Sequence, residues 1–192
     1  TRGFQIHIHA IGDAGVAAAL DAIELADSPS NSVIAHTELV ATEDLERFAA
    51  LGVNANFEPL WAREDGMLTS CVRHLGRKRI DSMYRMRDLA DAGAKITFGS
   101  DWPVSSPDPI LGIYTAAHRA LPESPEKSWT PEQRLTPVEA LEAYTRAVSA
   151  QLELATDLPD FVILSSNPLT GKILDANVVE TIIGGQTVFA RQ

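Results

Sequence analysis

Short apolar runs alternate with longer amphipathic stretches over the first 150 residues of the chain. The run at 5–9 alternates polar and apolar side chains as a strand does, and the stretch after it places Val16, Leu20 and Ile23 at helical spacing. Four strand-then-helix units follow one another, because further strands are predicted at 32–36, 53–57 and 95–99. This order predicts parallel strands joined by helical crossovers.

Capping residues mark the expected helix boundaries. Asp13 suits the N-cap of the first helix, a second helix is predicted to begin at Thr42, and Gly52 is expected to end it. A later helix start at 136–139 combines a capping box with proline at the first helical position. The residues expected on the buried face of the second helix are Leu45, Phe48 and Ala49.

The pattern changes beyond Ala155. Segments 161–164 and 178–190 are strand-like, and Gly184-Gly185 predicts a hairpin turn inside the second segment. We therefore predict two parts, an α/β region over residues 1–150 and a β-rich tail over residues 151–192. The pattern alone leaves open whether the parallel sheet is open or belongs to a closed barrel.

Three side chains that can bind metals stand at predicted strand ends. His9 ends the first strand, His36 ends the second, and Asp101 directly follows the fourth. The C-terminal ends of parallel strands open onto one face, so these side chains are expected to converge. Two imidazoles and a carboxylate suit zinc or a similar divalent ion and leave positions open for water. The alternatives are a core role for each histidine and a turn role for Asp101.

Three motifs containing these residues follow one another along the chain: HAIGD at 9–13, VIAHTE at 33–38 and GSDWPV at 99–104. Their order resembles consecutive signatures of the amidohydrolase superfamily. The branch they resemble most is amidohydrolase family 3, which includes N-substituted formamide deformylases. Further similar segments lie at 51–61, 135–145 and 160–164, so the resemblance covers nearly the whole chain.

The resemblance implies a particular fold. Residues 1–150 would be the C-terminal half, strands five to eight, of a TIM-like (β/α)8 metal-dependent hydrolase barrel. Residues 151–192 would supply the C-terminal strands of a small β-sandwich. Members of the family are much longer, and their His-x-His pair and bridging lysine on earlier strands have no counterpart in this sequence. The link at 151–159 is also short, and Thr1 is expected to mark a cut rather than a natural start.

The resemblance also implies roles for the three metal-capable residues. His9, His36 and Asp101 match the metal ligands on the fifth, sixth and eighth strands of the family barrel. The implied cofactor is a divalent metal, with zinc preferred and iron or manganese as alternatives. Asp101 would be the catalytic residue, accepting a proton from a metal-activated water and delivering it to the leaving amine of an amide- or formamide-like substrate.

Six further residues are candidates for the substrate pocket. Glu38 and Glu58 lie just beyond strand ends, at positions where glutamine is expected in relatives, although both could be solvated loop acids. Trp102 adjoins Asp101, whereas the charge of another candidate, Arg79, could equally belong to the surface. The full set is His7, Glu38, Glu58, Trp61, Arg79 and Trp102, and Arg63 could also line the pocket.

Composition excludes several function classes. The chain has 16 basic and 26 acidic residues, a net charge of −10 that argues against nucleic acid as a partner. A single cysteine rules out a disulfide within the chain, and no apolar run is long enough to span a membrane. A cytoplasmic location is expected on this basis.

A half-barrel would leave two exposed sheet edges. We therefore expect self-association, or pairing with an N-terminal half of the same enzyme. As residues 1–192 alone, the chain is expected to hydrolyse its substrate weakly or not at all. Two other interpretations stay open, a non-catalytic binding or structural module with a degenerate half-barrel, and a related deaminase or lactonase.

Overall fold

A computed structural model describes residues 4–26, 31–153, 160–170 and 172–191 of the chain. The expectation about Thr1 lies outside the described residues. Most of the short link at 151–159 lies outside them as well.

Four short strands form a parallel sheet whose spatial order equals their order in the chain. Neighbouring strands pair in register, with His9 beside Ala35 and Asn56 beside Thr97. The predicted succession of parallel strands is therefore confirmed. The strands are β1 (His7–Ala10), β2 (Val33–His36), β3 (Asn54–Phe57) and β4 (Lys95–Phe98).

Helices connect these strands, as predicted. The face of α1 formed by Val16, Leu20 and Ile23 is buried against the sheet. The helices are α1 (Asp13–Leu25), α2 (Leu45–Ala50), α3 (Gly66–Leu75), α4 (Arg77–Ile80), α5 (Met86–Asp91), α6 (Pro109–His118), α7 (Pro137–Tyr144) and α8 (Arg146–Gln151). Short 3-10 turns also occur at Thr42–Asp44, Pro59–Trp61, Pro131–Gln133 and Ile173–Asp175.

Two local predictions about the helices are wrong. Gly12, not Asp13, is the N-cap of α1, and no side chain caps that helix. Ala49 is exposed, whereas Phe48 of the same predicted face is buried as expected; α2 begins only at Leu45, after a 3-10 turn. The capping box of Thr136 and Glu139 at the start of α7 is confirmed, and Gly52 ends α2 with a positive φ of 64°.

The C-terminal part forms a separate antiparallel sheet with the order β5-β6-β7. Its strands are β5 (Phe161–Leu164), β6 (Val178–Ile183) and β7 (Gln186–Ala190). Gly184 and Gly185 form the predicted hairpin turn, with φ of 57° and 77°. Ile173 and Ala176, which lie between β5 and β6, are buried in the main core. The division into domains at residue 150 stays a prediction.

No helix in the described part of the chain is both long enough and apolar enough to cross a membrane.

Candidate functional site

Two histidines meet at the C-terminal edge of the parallel sheet. His9 on β1 and His36 on β2 place Nδ1 and Nε2, respectively, 2.8 Å apart. His36 is buried, whereas His9 is exposed. The pairing of adjacent parallel strands brings these side chains together, as their positions at two successive strand ends predict.

Glu58, directly after β3, holds the other nitrogen of His36. Its Oε2 atom lies 3.0 Å from His36 Nδ1, and both side chains are buried. When the Glu58 carboxyl is ionised it can only accept, and the proton of this bond is then assigned to Nδ1. In that form the lone pair of His36 Nε2 faces His9, whose Nδ1–H donates to it. We call His9, His36 and Glu58 the strand-end cluster.

The pKa of Glu58 is raised to about 7. Burial of the carboxyl is the largest cause, and the negative charge of Asp101 adds to it, while His9 opposes it. Asp101 therefore lies within electrostatic range of the strand-end cluster.

Two aromatic rings flank the histidine pair. The indole of Trp61 stacks on the His36 ring with centroids 5.8 Å apart and planes at 9°. The ring of His7 lies 5.8 Å from that of His9, and burial together with His9 and His36 lowers the pKa of His7. The rings of His7, His9, His36 and Trp61 thus follow one another beside β1 and β2.

Glu38 lies two residues after His36 and bonds to a residue that the sequence did not single out. The hydroxyl of Tyr84 donates to the Glu38 carboxylate, and the backbone N–H of Tyr84 donates to the Glu38 carbonyl at 2.7 Å. Burial is the main cause that raises the pKa of Glu38, although His36 and Tyr84 oppose it. Tyr84 stands in a polar segment before α5, so no periodicity marks it as part of a site.

Asp101 stands in the loop after β4, where it is exposed. Its φ of 50° is positive, as are those of His36 (72°) and Thr37 (50°). Such conformations cost roughly 1–3 kcal/mol each in non-glycine residues and are concentrated at functional sites. Trp102, next to Asp101, is 69% exposed.

Arg79, predicted as a pocket residue, is bound to Asp13 and not to the strand-end cluster. Its Nη2 atom lies 2.8 Å from each carboxylate oxygen of Asp13. Asp13 was expected to cap α1, and in the structure it anchors this half-exposed arginine. Arg79 does not line the cavity described next.

A cavity of about 300 Å³ lies beside the strand-end cluster, at the small end of the range for ligand pockets. Trp61, which stacks on His36, and Glu38 are part of its wall, so the cavity adjoins the cluster. The lining residues are Glu38, Trp61, Arg63, Asp65, Leu68, Cys71, Met83, Tyr84, Val104 and Ser105.

The two histidine nitrogens that face each other are spaced almost as two ligands of one metal ion would be. In a tetrahedral zinc site with Zn–N bonds of about 2.0–2.1 Å, two imidazole nitrogens stand roughly 3.3 Å apart. The facing nitrogens of His9 and His36, at 2.8 Å, are close to that spacing. Within the described residues, however, no three His, Cys, Asp or Glu side chains are placed to hold an ion as they stand.

A parallel α/β sheet with two histidines meeting beside a cavity at its C-terminal edge has the arrangement of ligand-binding and catalytic α/β proteins. The family model of the Amidohydrolase family matches residues 1–189, and the chain belongs to this family. The resemblance noted from the sequence motifs is thereby confirmed.

Several known proteins are similar to this chain. Protein LONG AFTER FAR-RED 3 of Arabidopsis thaliana is 32% identical over 97% of the chain and 34% of its own length. N-substituted formamide deformylase of Arthrobacter pascens is 24% identical over 98% of the chain and 37% of its own length. The chain thus spans about a third of the length of these curated relatives.

Among solved structures, an uncharacterized metal-dependent hydrolase from Pyrococcus horikoshii is 27% identical. The match has a TM-score of 0.75 and covers 91% of this chain and 36% of that one. This likeness supports the predicted α/β fold. The roles of the individual site residues stay predictions.

Proposed function

We propose that this chain is the C-terminal part of a metal-dependent amidohydrolase that cleaves a carbon–nitrogen bond in a small amide- or formamide-like molecule. The observation that carries this proposal is the meeting of His9 Nδ1 and His36 Nε2 at the ends of adjacent parallel strands. Membership of the Amidohydrolase family and similarity to a formamide deformylase support the bond type.

His9 and His36 would hold a divalent metal, with Asp101 as a carboxylate ligand. Zinc suits two imidazoles and a carboxylate, with iron or manganese as alternatives. When bound, such a metal lowers the pKa of a water molecule and polarises the carbonyl group of the substrate. The remaining ligands would come from the part of the relatives that this chain does not span.

Glu58 orients His36 for this role. Its carboxylate accepts from Nδ1–H at 3.0 Å, which keeps the proton off Nε2 and leaves that lone pair free. Carboxylates that hold the second nitrogen of a metal-binding histidine fix its tautomer and raise its basicity.

Asp101 moves the proton. Exposed at the same strand edge, its carboxylate takes a proton from the attacking water and passes it to the leaving nitrogen.

The proposed fold of the intact enzyme is a TIM-like (β/α)8 barrel in which β1–β4 are strands five to eight. The sequential order of the sheet supports this, since consecutive strands neighbour one another in such barrels. The sheet β5–β7 would join further strands in a small β-sandwich.

The edge strands β1 and β4 then need partners, supplied by an N-terminal half or a second copy of the chain. Sedimentation tests this directly. We expect self-association of the isolated chain, and a monodisperse monomer at micromolar concentration would contradict it.

One observation favours a second candidate, a non-catalytic module that keeps the half-barrel as a scaffold. No three ligand-type side chains in the described part of the chain are placed to hold a metal. Deaminase or lactonase chemistry would use the same strand-end residues, and turnover of defined substrates separates it from amide hydrolysis.

The test combines metal content with activity. The chain is produced together with an N-terminal half from a family relative and assayed with N-formyl and N-acyl amines. We expect turnover and bound metal in the parent protein, and loss of both in the double variant His9→Ala plus Asp101→Ala.

The matched control is His74→Ala, an exposed histidine on α3, which should change neither quantity. Unchanged metal content in the double variant would refute the site assignment. Metal binding without turnover of any amine substrate would favour the non-catalytic module.

A further inference from the structure

The cavity beside the strand-end cluster has walls of two kinds. Trp61, Leu68 and Met83 are apolar and suit a ring or a short hydrocarbon group. Charged side chains of both signs line the same cavity. A ligand that fills it must therefore have an apolar body and polar atoms matched to these charges.

Arg63 supplies a hydrogen-bond donor without an acceptor. Its Nε atom is buried, and it has no hydrogen-bond partner among the described residues. The nearest carboxylate oxygen, Asp65 Oδ2, is 4.0 Å away, which is too long for a hydrogen bond. Buried polar groups are nearly always paired, so a lone donor at a cavity wall indicates an acceptor on the molecule that enters.

The cavity holds charges of both signs, so neither an anion nor a cation would meet only opposite charge there. An anion would meet Glu38 and Asp65, and a cation would meet Arg63. Asp65 is already engaged, because its Oδ1 accepts from the backbone N–H of Leu68 at 3.0 Å. Glu38 accepts one bond from Tyr84, and a carboxylate has capacity for more.

We propose that Arg63 and Glu38 are specificity-determining residues that select a neutral carboxamide. The ligand's carbonyl oxygen accepts from Arg63 Nε–H, and its amide N–H donates to the Glu38 carboxylate. This proposal deepens the proposed function and rests on it, since the cavity adjoins the candidate metal ligands through Trp61 and Glu38.

Three probes of similar size, benzamide, benzoate and benzylammonium, test whether the cavity prefers a neutral amide, an anion or a cation. They are titrated into the 15N-labelled chain while the Nε–H signal of Arg63 and the indole N–H signal of Trp61 are followed. Arg63→Lys and Trp61→Phe assign those signals. We expect benzamide to shift both and to bind about tenfold more tightly than either ion, the effect of one hydrogen bond to a charged group.

The decisive variant is Arg63→Lys, which keeps the positive charge and removes the Nε–H donor. We expect about a tenfold weaker affinity for benzamide, with the thermal midpoint of unfolding unchanged or higher. Arg77→Lys, an exposed arginine outside the cavity, is the control and should bind benzamide as the parent does. N,N-dimethylbenzamide, which lacks an N–H for Glu38, should bind several-fold more weakly than benzamide.

Two results would overturn the proposal. One is equal benzamide affinity in the parent and in Arg63→Lys, which would show that water alone satisfies the donor. The other is tightest binding of benzoate or benzylammonium. The proposed function is tested separately, by adding zinc without any of these probes. If zinc did not perturb His9 and His36, that result would count against the proposed function and not against the role of Arg63.

Discussion

Two regions of the chain that contain buried charged side chains differ in what the charge faces. In the strand-end cluster, His36 and Glu58 are buried, but the cluster opens to solvent through exposed His9. At the end of α6, Arg119 is 0% exposed and faces only groups of its own chain.

Arg119 is held by backbone carbonyls and an aromatic ring. Its Nε and Nη1 atoms donate to the carbonyls of Trp129 at 3.3 Å and Tyr84 at 3.2 Å. Its guanidinium also lies 4.5 Å from the centre of the Trp129 ring. Burial lowers the pKa of Arg119 to about 9, so the side chain stays charged at neutral pH. This arginine ties together the segments before α5 and after α6.

The difference shows that burial of charge does not by itself mark a functional site. Arg119 finds its partners within the fold, whereas the strand-end cluster leaves an imidazole at the surface and a carboxyl with a raised pKa. Tyr84 joins the Arg119 region to the cavity wall, since its carbonyl accepts from Arg119 and its backbone N–H donates to the Glu38 carbonyl. The Arg119 region thus supports one wall of the cavity.

The largest expected effect is a loss of protein stability when Arg119, in the structural region, is replaced. Arg119→Met leaves several buried carbonyls without a donor, and we expect it to lower the free energy of unfolding by about 3 kcal/mol or more. Urea unfolding measures this, with Arg77→Met as the exposed control, expected within about 0.5 kcal/mol of the parent. A loss in Arg119→Met no larger than in the control would contradict a structural role.

The next largest effect is a loss of zinc affinity when Glu58, in the strand-end cluster, is replaced. Glu58→Ala frees the His36 ring, and we expect zinc affinity to fall about 10- to 100-fold, as for other carboxylates that orient a metal-binding histidine. Glu58→Gln should retain part of the affinity, because its amide oxygen can still accept from His36 Nδ1–H. Calorimetric titration measures both, with Glu46→Ala, an exposed helical glutamate, as control. Full affinity in Glu58→Ala would remove Glu58 from the site.

The last expected effect is a pH dependence of the free energy of unfolding, which has opposite signs at two glutamates. The folded-state pKa of Glu58 is raised from 4.5 to about 7, so its stabilising contribution is full below pH 4.5 and is lost as pH rises through 7. Hydrogen bonds from Arg87 are the main cause that lowers the pKa of Glu139 to about 2, so its contribution is present above pH 4.5 and is lost as pH falls toward 2.

Urea midpoints between pH 4.5 and 8 should therefore decline less steeply in Glu58→Gln than in the parent protein. Glu139→Gln should differ from the parent mainly by a shallower loss of stability below pH 4.5. Identical pH profiles for the parent and Glu58→Gln would show that the carboxyl of Glu58 titrates normally.

Much of the fold could be predicted from periodicity and capping. The four parallel strands, the buried face of α1, the start of α7 and the β-hairpin all depend on local patterns that a sequence displays directly. Asp13 shows the limit of this approach. A carboxylate at a helix start is expected to cap it, but a distant arginine, Arg79, competes for the same oxygens.

The site was partly predictable for a related reason. His9 and His36 could be placed together because parallel strand ends share one edge. Arg63 was named as a possible pocket residue, but its buried, unpaired Nε donor could not be predicted. The burial of Tyr84 and Arg119 could not be predicted either, because it depends on how α5, α6 and their loops pack, which no local pattern displays.

The central claim is that His9 Nδ1 and His36 Nε2 bind a divalent metal. The most direct measurement follows the ring nitrogens of all histidines by 15N NMR while zinc is added to the chain. We expect metal-bound shifts at Nδ1 of His9 and Nε2 of His36, with His74 and His118 unchanged. Unchanged signals from His9 and His36 at saturating zinc, or equal shifts at all histidines, would contradict it.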